Sequence, residues 1–174
     1  MIKENEFIGE AEGIPDTVPY VDYKDIDKKI FYKDYLSKSK PVLIKGMAQE
    51  WPAYTKWTNE TYLLEVAGKI PIKVEQIPRH SSDYAYFFKE HSKQDMTYGT
   101  FLRKVRDPNR KMNYYFAEET VPAPLANDII TPKFGQELLE PSLTAFWHGI
   151  GTVSLPHTDE DENFMCVLTG WKEF

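Results

Sequence analysis

The stretch Gly151-Thr152-Val153-Ser154-Leu155-Pro156-His157-Thr158-Asp159-Glu160-Asp161-Glu162-Asn163-Phe164-Met165-Cys166-Val167-Leu168-Thr169-Gly170-Trp171-Lys172 decides how this chain is read. A strand-like run leads into one histidine and one carboxylate two residues apart. A second strand-like run, Asn163 to Leu168, breaks at Thr169-Gly170, and Lys172 follows. In an extended segment, residues i and i+2 point to the same face, so His157 and Asp159 can reach one metal ion. An imidazole nitrogen and a carboxylate oxygen are two of the three donors in the facial set that holds non-haem Fe(II). His-x-Asp alone is also what a solvated acidic loop provides, because Asp159-Glu160-Asp161-Glu162 is a charge run. A calcium loop fails on spacing: counted from Asp159, position six would be Phe164 where a glycine is required, and position twelve Gly170 where a glutamate is required.

The totals set the frame for that motif. A chain of 174 residues suits one domain with a real core. Aromatic residues are plentiful, with 11 Tyr, 10 Phe and 4 Trp, and 12 Pro imply many short elements joined by defined turns. The net charge of −6 leaves no basic stripe, so there is no general nucleic-acid footprint. One cysteine, Cys166, excludes an internal disulfide framework and fits a reducing compartment, the cytosol or the nucleus. Cys166 lies mid-strand, where a structural thiol is expected. No apolar run approaches the roughly 18 to 20 residues that span a bilayer. The polar, acidic N-terminus is neither a secretory signal nor an Arg-rich transit peptide.

Outward from the motif, helices come early and strands late. Residues 1–20, with Gly9, Gly13, Pro15 and Pro19, read as a flexible lead-in. Asp25 to Ser37 carries Ile26, Ile30, Phe31 and Tyr35 at roughly helical spacing. Val42-Leu43-Ile44 reads as a short buried strand closed by Gly46, and Trp51-Pro52 with Trp57 as an aromatic loop. Thr58 is placed to cap a helix that starts near Asn59 and stops at Gly68. Ile70 to Ile77 alternates like a strand, with Pro71 at its start. Arg79 to Lys93, which includes His80 and His91, has no clear period, and both histidines read as surface residues. Thr97 opens a helix with Phe101, Leu102 and Val105 inward, ended by Asp107-Pro108. Met112 to Ala117 is a Tyr/Phe-rich strand, Pro122 and Pro124 start a long loop, and Pro132 to Leu139 reads as one short helix. The order predicts an α+β chain whose strands form one antiparallel structure. Gly149-Ile150-Gly151 lacks the third glycine and the helix of a phosphate loop.

Phe146-Trp147-His148-Gly149, then Gly151-Thr152-Val153-Ser154-x-x-His157-x-Asp159-x-x-x-Asn163-Phe164 and Gly170-x-Lys172-x-Phe174, resembles the start of the catalytic core of the JmjC and cupin-like 2-oxoglutarate oxygenases. The small stand-alone hydroxylases of that group, including the JmjC lysyl hydroxylases, are the nearest likeness. Val18-Pro19-Tyr20-Val21, Lys40 to Gly46 and Trp51-Pro52-Ala53-x-x-x-Trp57 resemble their N-terminal part, so the likeness covers residues 18–174. It implies helices and strands leading into a double-stranded β-helix, the cupin or jelly-roll core, with 21–174 as one JmjC/cupin-like domain. It also implies Fe(II) and 2-oxoglutarate as cofactors, O2 as co-substrate and a protein side chain as substrate, with a modified RNA base or a small molecule as alternatives. His157 and Asp159 match the two proximal iron ligands. Lys172 matches the lysine that pairs with the distal carboxylate of 2-oxoglutarate, and Ser154 stands where a hydroxyl helps hold it. Tyr115 matches a tyrosine that reaches the same carboxylate, and Asn163 an asparagine beside the co-substrate. Each has a plainer role open to it: a surface lysine, a backbone-satisfying serine, a core tyrosine, a turn-forming asparagine. Phe146 and Trp147 read as core. His148 stands where the family carries an aliphatic residue, and the sequence offers no reason for it.

The resemblance also implies a third ligand, a histidine on a late strand, and no histidine follows His157 in these residues. About half of the eight-strand core is expected here, so the domain is expected to be incomplete at its C-terminus. The rival expectation is a non-catalytic cupin-like interaction or structural subunit that has lost the iron site. A site shared with a partner chain, or a homodimer, stays open as well. No membrane association is expected.

Overall fold

The computed structural model describes residues 18–79, 93–152 and 157–172. The chain forms two compact units, one of residues 1–47 and 131–139, the other of residues 48–130 and 140–174.

In the first unit, β1 (Tyr20–Asp22) pairs in parallel with β2 (Leu43–Lys45). The expected buried strand at Val42-Leu43-Ile44 is a strand but not a buried one. Leu43 is exposed, and only the middle residues of each strand turn inward. Between them runs α1 (Lys28–Ile30), which widens into a π turn over Phe31–Tyr35 and tightens to 3-10 over Leu36–Lys38. Asp27 caps it, accepting from the Ile30 amide at 2.7 Å. Ser39 ends it in the left-handed region at φ 49°. Phe31 is the buried residue of that helical face and stacks edge-on against Phe134, with ring centroids 4.9 Å apart. The expected helix over Pro132–Leu139 is instead a series of turns, closed by amides that reach back to Pro132 and Gly135. Glu137, at φ 65°, cannot continue a right-handed helix.

The second unit carries a four-stranded antiparallel sheet in the order β4 (Lys93–Thr97), β3 (Pro71–Pro78), β5 (Met112–Thr120), β6 (Ala145–Gly149). The chain is therefore α+β, as its order of elements predicts. Trp51-Pro52 is no loop: Pro52 opens the short helix α2 (Pro52–Lys56), with Trp51 and Trp57 both buried. A proline suits the first helical turn because its missing N–H would be unused there. Asn59, one residue after the expected cap, accepts from the Thr61 and Tyr62 amides at the start of α3 (Glu60–Ala67). Thr97 caps α4 (Tyr98–Arg106), and Phe101, Leu102 and Val105 are fully buried, as their spacing predicts. Helices α3 and α4 meet at glycines: the Gly99 amide donates to the Gly68 carbonyl at 2.9 Å, and a Cβ on Gly99 would lie 2.9 Å from that oxygen. Within the loop expected after Pro122, α5 (Ala123–Ala126) buries Leu125.

Asp128, just beyond α5, is 2% exposed and takes three side-chain donors. Lys56 Nζ lies at 2.6 Å, Trp57 Nε1 at 3.1 Å and the Tyr62 hydroxyl at 2.5 Å. Burial alone would raise this carboxyl, but the hydrogen bonds from Lys56, Tyr62 and Trp57 outweigh it and hold the group below its ordinary value. The cluster ties α2 and α3 to the end of α5.

The sheet has two faces. Phe116 of β5 sits opposite His148 of β6, and beyond a bulge Glu119 sits opposite Phe146. Glu118, at φ 59°, lies within that bulge. Phe116, Phe146 and His148 pack with Tyr98 and Phe101 of α4, with centroid separations between 5.1 and 6.2 Å. Tyr115, Ala117, Ile77 and Trp147 occupy the opposite face.

Candidate functional site

His148 is explained by the α4-covered face. Its Nδ1 shares a 3.0 Å hydrogen bond with the Tyr98 hydroxyl, and its ring meets Phe101 edge-on. Burial, with a smaller push from Arg106, lowers its pKa from 6.5 to about 4. The imidazole is thus neutral at neutral pH and gives the buried Tyr98 hydroxyl a partner, which an aliphatic side chain would not do.

On the other face, β5 and β6 place one of the expected residues, Tyr115, against Trp147. Tyr115 is 8% exposed and lies directly opposite Gly149. A Cβ on Gly149 would fall 2.8 Å from the Tyr115 ring, so the glycine makes room for the phenol. Trp147, two residues before Gly149, shares that face and packs against Tyr115 with ring centroids 5.8 Å apart. Lys172 Nζ stands 5.0 Å from the Trp147 ring centroid. Lys172 and Tyr115 therefore flank one indole, although 57 positions separate them in sequence. Its sequence context alone marks Trp147 as a core residue. Its link to Tyr115 depends on the β5–β6 register, which no local pattern states.

Glu75 of β3 sits directly opposite Tyr115 and so belongs to the same face. Burial raises its carboxyl above the ordinary value, against the pull of Lys93 at 3.7 Å; Glu118 and Glu119 add to the rise.

The acidic segment after β6 gathers three more. His157 Nε2 lies 3.5 Å from Asp159 Oδ1, and both side chains are about half exposed, at 54% and 51%. Asn163 Nδ2 donates to the other carboxylate oxygen, Asp159 Oδ2, at 2.6 Å and to the Asp161 carbonyl at 3.4 Å. Ser142 Oγ donates to Asp161 Oδ2 at 2.9 Å, which fixes the far side of the turn. Asn163 thus both shapes the turn and orients Asp159, leaving Oδ1 toward the imidazole. Ser154, and with it the hydroxyl expected at the distal carboxylate, lies outside the described residues, as do His80 and His91.

The expected strand at Asn163–Leu168 forms no ladder; these residues are in irregular backbone, with Phe164, Met165 and Val167 exposed. Cys166 is half-buried there, and burial lifts its thiol to about 11, which suits a structural residue rather than a nucleophile. Among the described residues, no group of three or more His, Cys, Asp or Glu gathers as a metal site, and no helix is long and apolar enough to cross a membrane.

An antiparallel sheet with α4 on one face, followed by a His-x-Asp pair, fits part of a cupin-like β-domain. The cupin-like domain model matches residues 27–174, and the chain belongs to that family. Its relatives include JmjC proteins. It is 31% identical over 150 residues to lysine-specific demethylase 8 of Xenopus tropicalis, covering 82% of this chain and 32% of the relative. It is 25% identical to JmjC domain-containing protein E of Dictyostelium discoideum, covering 99% of this chain and 59% of that protein. It is 24% identical to the human bifunctional peptidase and (3S)-lysyl hydroxylase JMJD7, covering 92% and 54%. The chain thus spans 32% to 59% of the length of these relatives.

Proposed function

We propose that this chain carries part of an Fe(II)- and 2-oxoglutarate-dependent oxygenase, a hydroxylase acting on a protein side chain. The observation that carries the reading is the His157–Asp159 pair, with Asn163 holding the second carboxylate oxygen. The donors suit the metal. Two cis ligands at about 2.1 Å from one divalent ion stand roughly 3 Å apart, within half an ångström of the separation seen here. The pair supplies an imidazole nitrogen and a carboxylate oxygen, two of the three donors that non-haem iron takes. The third donor of the facial set is assigned to no described residue of this chain.

Around that centre this chain's residues bind and orient. Lys172 meets the distal carboxylate of 2-oxoglutarate as a cation, and the hydroxyls of Ser154 and Tyr115 complete its hydrogen bonds. Asn163 keeps the Asp159 carboxylate turned toward the imidazole. The iron, when bound, couples oxidative decarboxylation of 2-oxoglutarate to succinate and CO2 with hydroxylation of a C–H bond by O2. A protein side chain as substrate is supported by the names of the relatives, which include a lysine-specific demethylase and a lysyl hydroxylase. Action in the cytosol or nucleus belongs to the same reading.

The test is turnover of 2-oxoglutarate to succinate by the iron-loaded full-length protein with peptide substrates. Lys172→Ala is expected to weaken 2-oxoglutarate binding roughly ten- to hundredfold while iron affinity changes less than about twofold. Equal loss of both, or loss of neither, removes the role assigned to Lys172. A folded full-length protein that binds neither iron nor 2-oxoglutarate would instead be the non-catalytic interaction subunit.

A further inference from the structure

The Lys172 ammonium sits over the face of Trp147, 5.0 Å from the ring centroid, within the roughly 6 Å over which the indole quadrupole attracts a cation. Trp147 is itself held. It lies on β6, packs on the cluster of Ile77, Tyr115 and Ala117, and stands beside the Tyr115 ring. Lys172 follows Gly170, at φ 79°, in irregular backbone, and its four-carbon stem is flexible. The neighbours Phe146 and His148 face α4, so of these three only position 147 offers a ring to this side.

We infer that Trp147 is a positioning residue, whose indole face holds the Lys172 ammonium for the distal carboxylate of 2-oxoglutarate. This rests on the 2-oxoglutarate reading above and adds a requirement to it: the ring's charge distribution, and not merely its bulk, sets the affinity for the acid. The sheet thereby offers this cation a fixed aromatic face.

The experiment uses the full-length protein with Mn(II) in place of Fe(II), so that 2-oxoglutarate binds without turnover and calorimetry reads its affinity. Trp147→Leu is expected to weaken 2-oxoglutarate roughly five- to thirtyfold with Mn(II) affinity unchanged, and Trp147→Phe to recover most of the loss. In a Lys172→Met background, Trp147→Leu should cost nothing further. Equal weakening in both backgrounds overturns the inference. Should Trp147→Leu fail to fold, site-specific replacement of Trp147 by mono- and difluorotryptophan withdraws the quadrupole and keeps the shape. Affinity should then fall stepwise, and a flat series overturns the inference. A third readout needs no ligand. The Lys172 Hε resonances should be shifted upfield by the Trp147 ring current and return to ordinary values in Trp147→Leu; unshifted resonances in the wild type overturn the contact. Shifted resonances without any 2-oxoglutarate binding would sink the 2-oxoglutarate reading while the cation–ring contact stands.

Discussion

Phe116 and Phe164 are the same residue type in opposite situations. Phe116 is 1% exposed, opposite His148 in the β5–β6 ladder and against the rings of Tyr98, Phe101 and Phe146. Phe164 is 42% exposed, in a segment with no ladder. The contrast runs through both regions. Between α4 and the sheet, each apolar side chain meets several others and backbone groups are satisfied by helix and ladder. Along 157–172, His157, Asp159 and Asn163 hold one another by polar contacts, and Phe164, Met165 and Val167 stay substantially in water. Stability is concentrated in the first region and the candidate chemistry in the second. A domain can so arrange its site because a ligand-binding segment needs definite polar contacts more than deep burial.

The comparison can be broken at three points. Phe116→Ala should cost about 3 to 5 kcal/mol, because the cavity lies between a sheet and a helix that cannot collapse. Urea unfolding measures it, and a loss below about 1 kcal/mol would mean that the α4-covered face is loosely packed. Next is the acid sensitivity of His148. Folding holds this imidazole near pKa 4, below its ordinary 6.5, so the unfolded chain takes up the proton first. The associated stability is complete above about pH 6.5 and is lost as the pH falls toward 4. Between pH 6 and 5 the wild type should lose up to about 1.4 kcal/mol more than His148→Phe. Parallel pH profiles would show that the imidazole is solvated. The smallest effect belongs to the second region: Trp171, 84% exposed, should be replaceable by Ser with a change below about 0.5 kcal/mol. A larger loss by the same urea measurement would place Trp171 in a packed interface.

What could be read beforehand follows the same division. Phe101, Leu102 and Val105 behind Thr97 announced α4, and Ile72 and Val74 in alternation announced β3, because a buried face imposes its period on the sequence. Lys93-Gln94-Asp95-Met96-Thr97 announced nothing. It is an edge strand with little to bury, and its ladder to β3 is what makes it a strand. Asn163 to Leu168 failed in the other direction: apolar residues promised a strand where the described residues show no ladder, since composition offers a strand but only a partner completes it. Trp51-Pro52 misled because a Pro–aromatic pair marks a loop and a first helical turn equally well.

By itself, the sequence determined the residue types and their local spacing: His157 and Asp159 two apart, Asn163 and Lys172 downstream, a capped helix and alternating strands. These depend on side-chain chemistry and backbone period, which are local. Only the tertiary structure decided that Asn163 holds Asp159, that Tyr98 answers His148, and that Trp147 meets both Tyr115 and Lys172. Those meetings depend on strand register and on chain return over tens of residues, and a one-residue slip of β6 would turn Trp147 to the α4 side of the sheet.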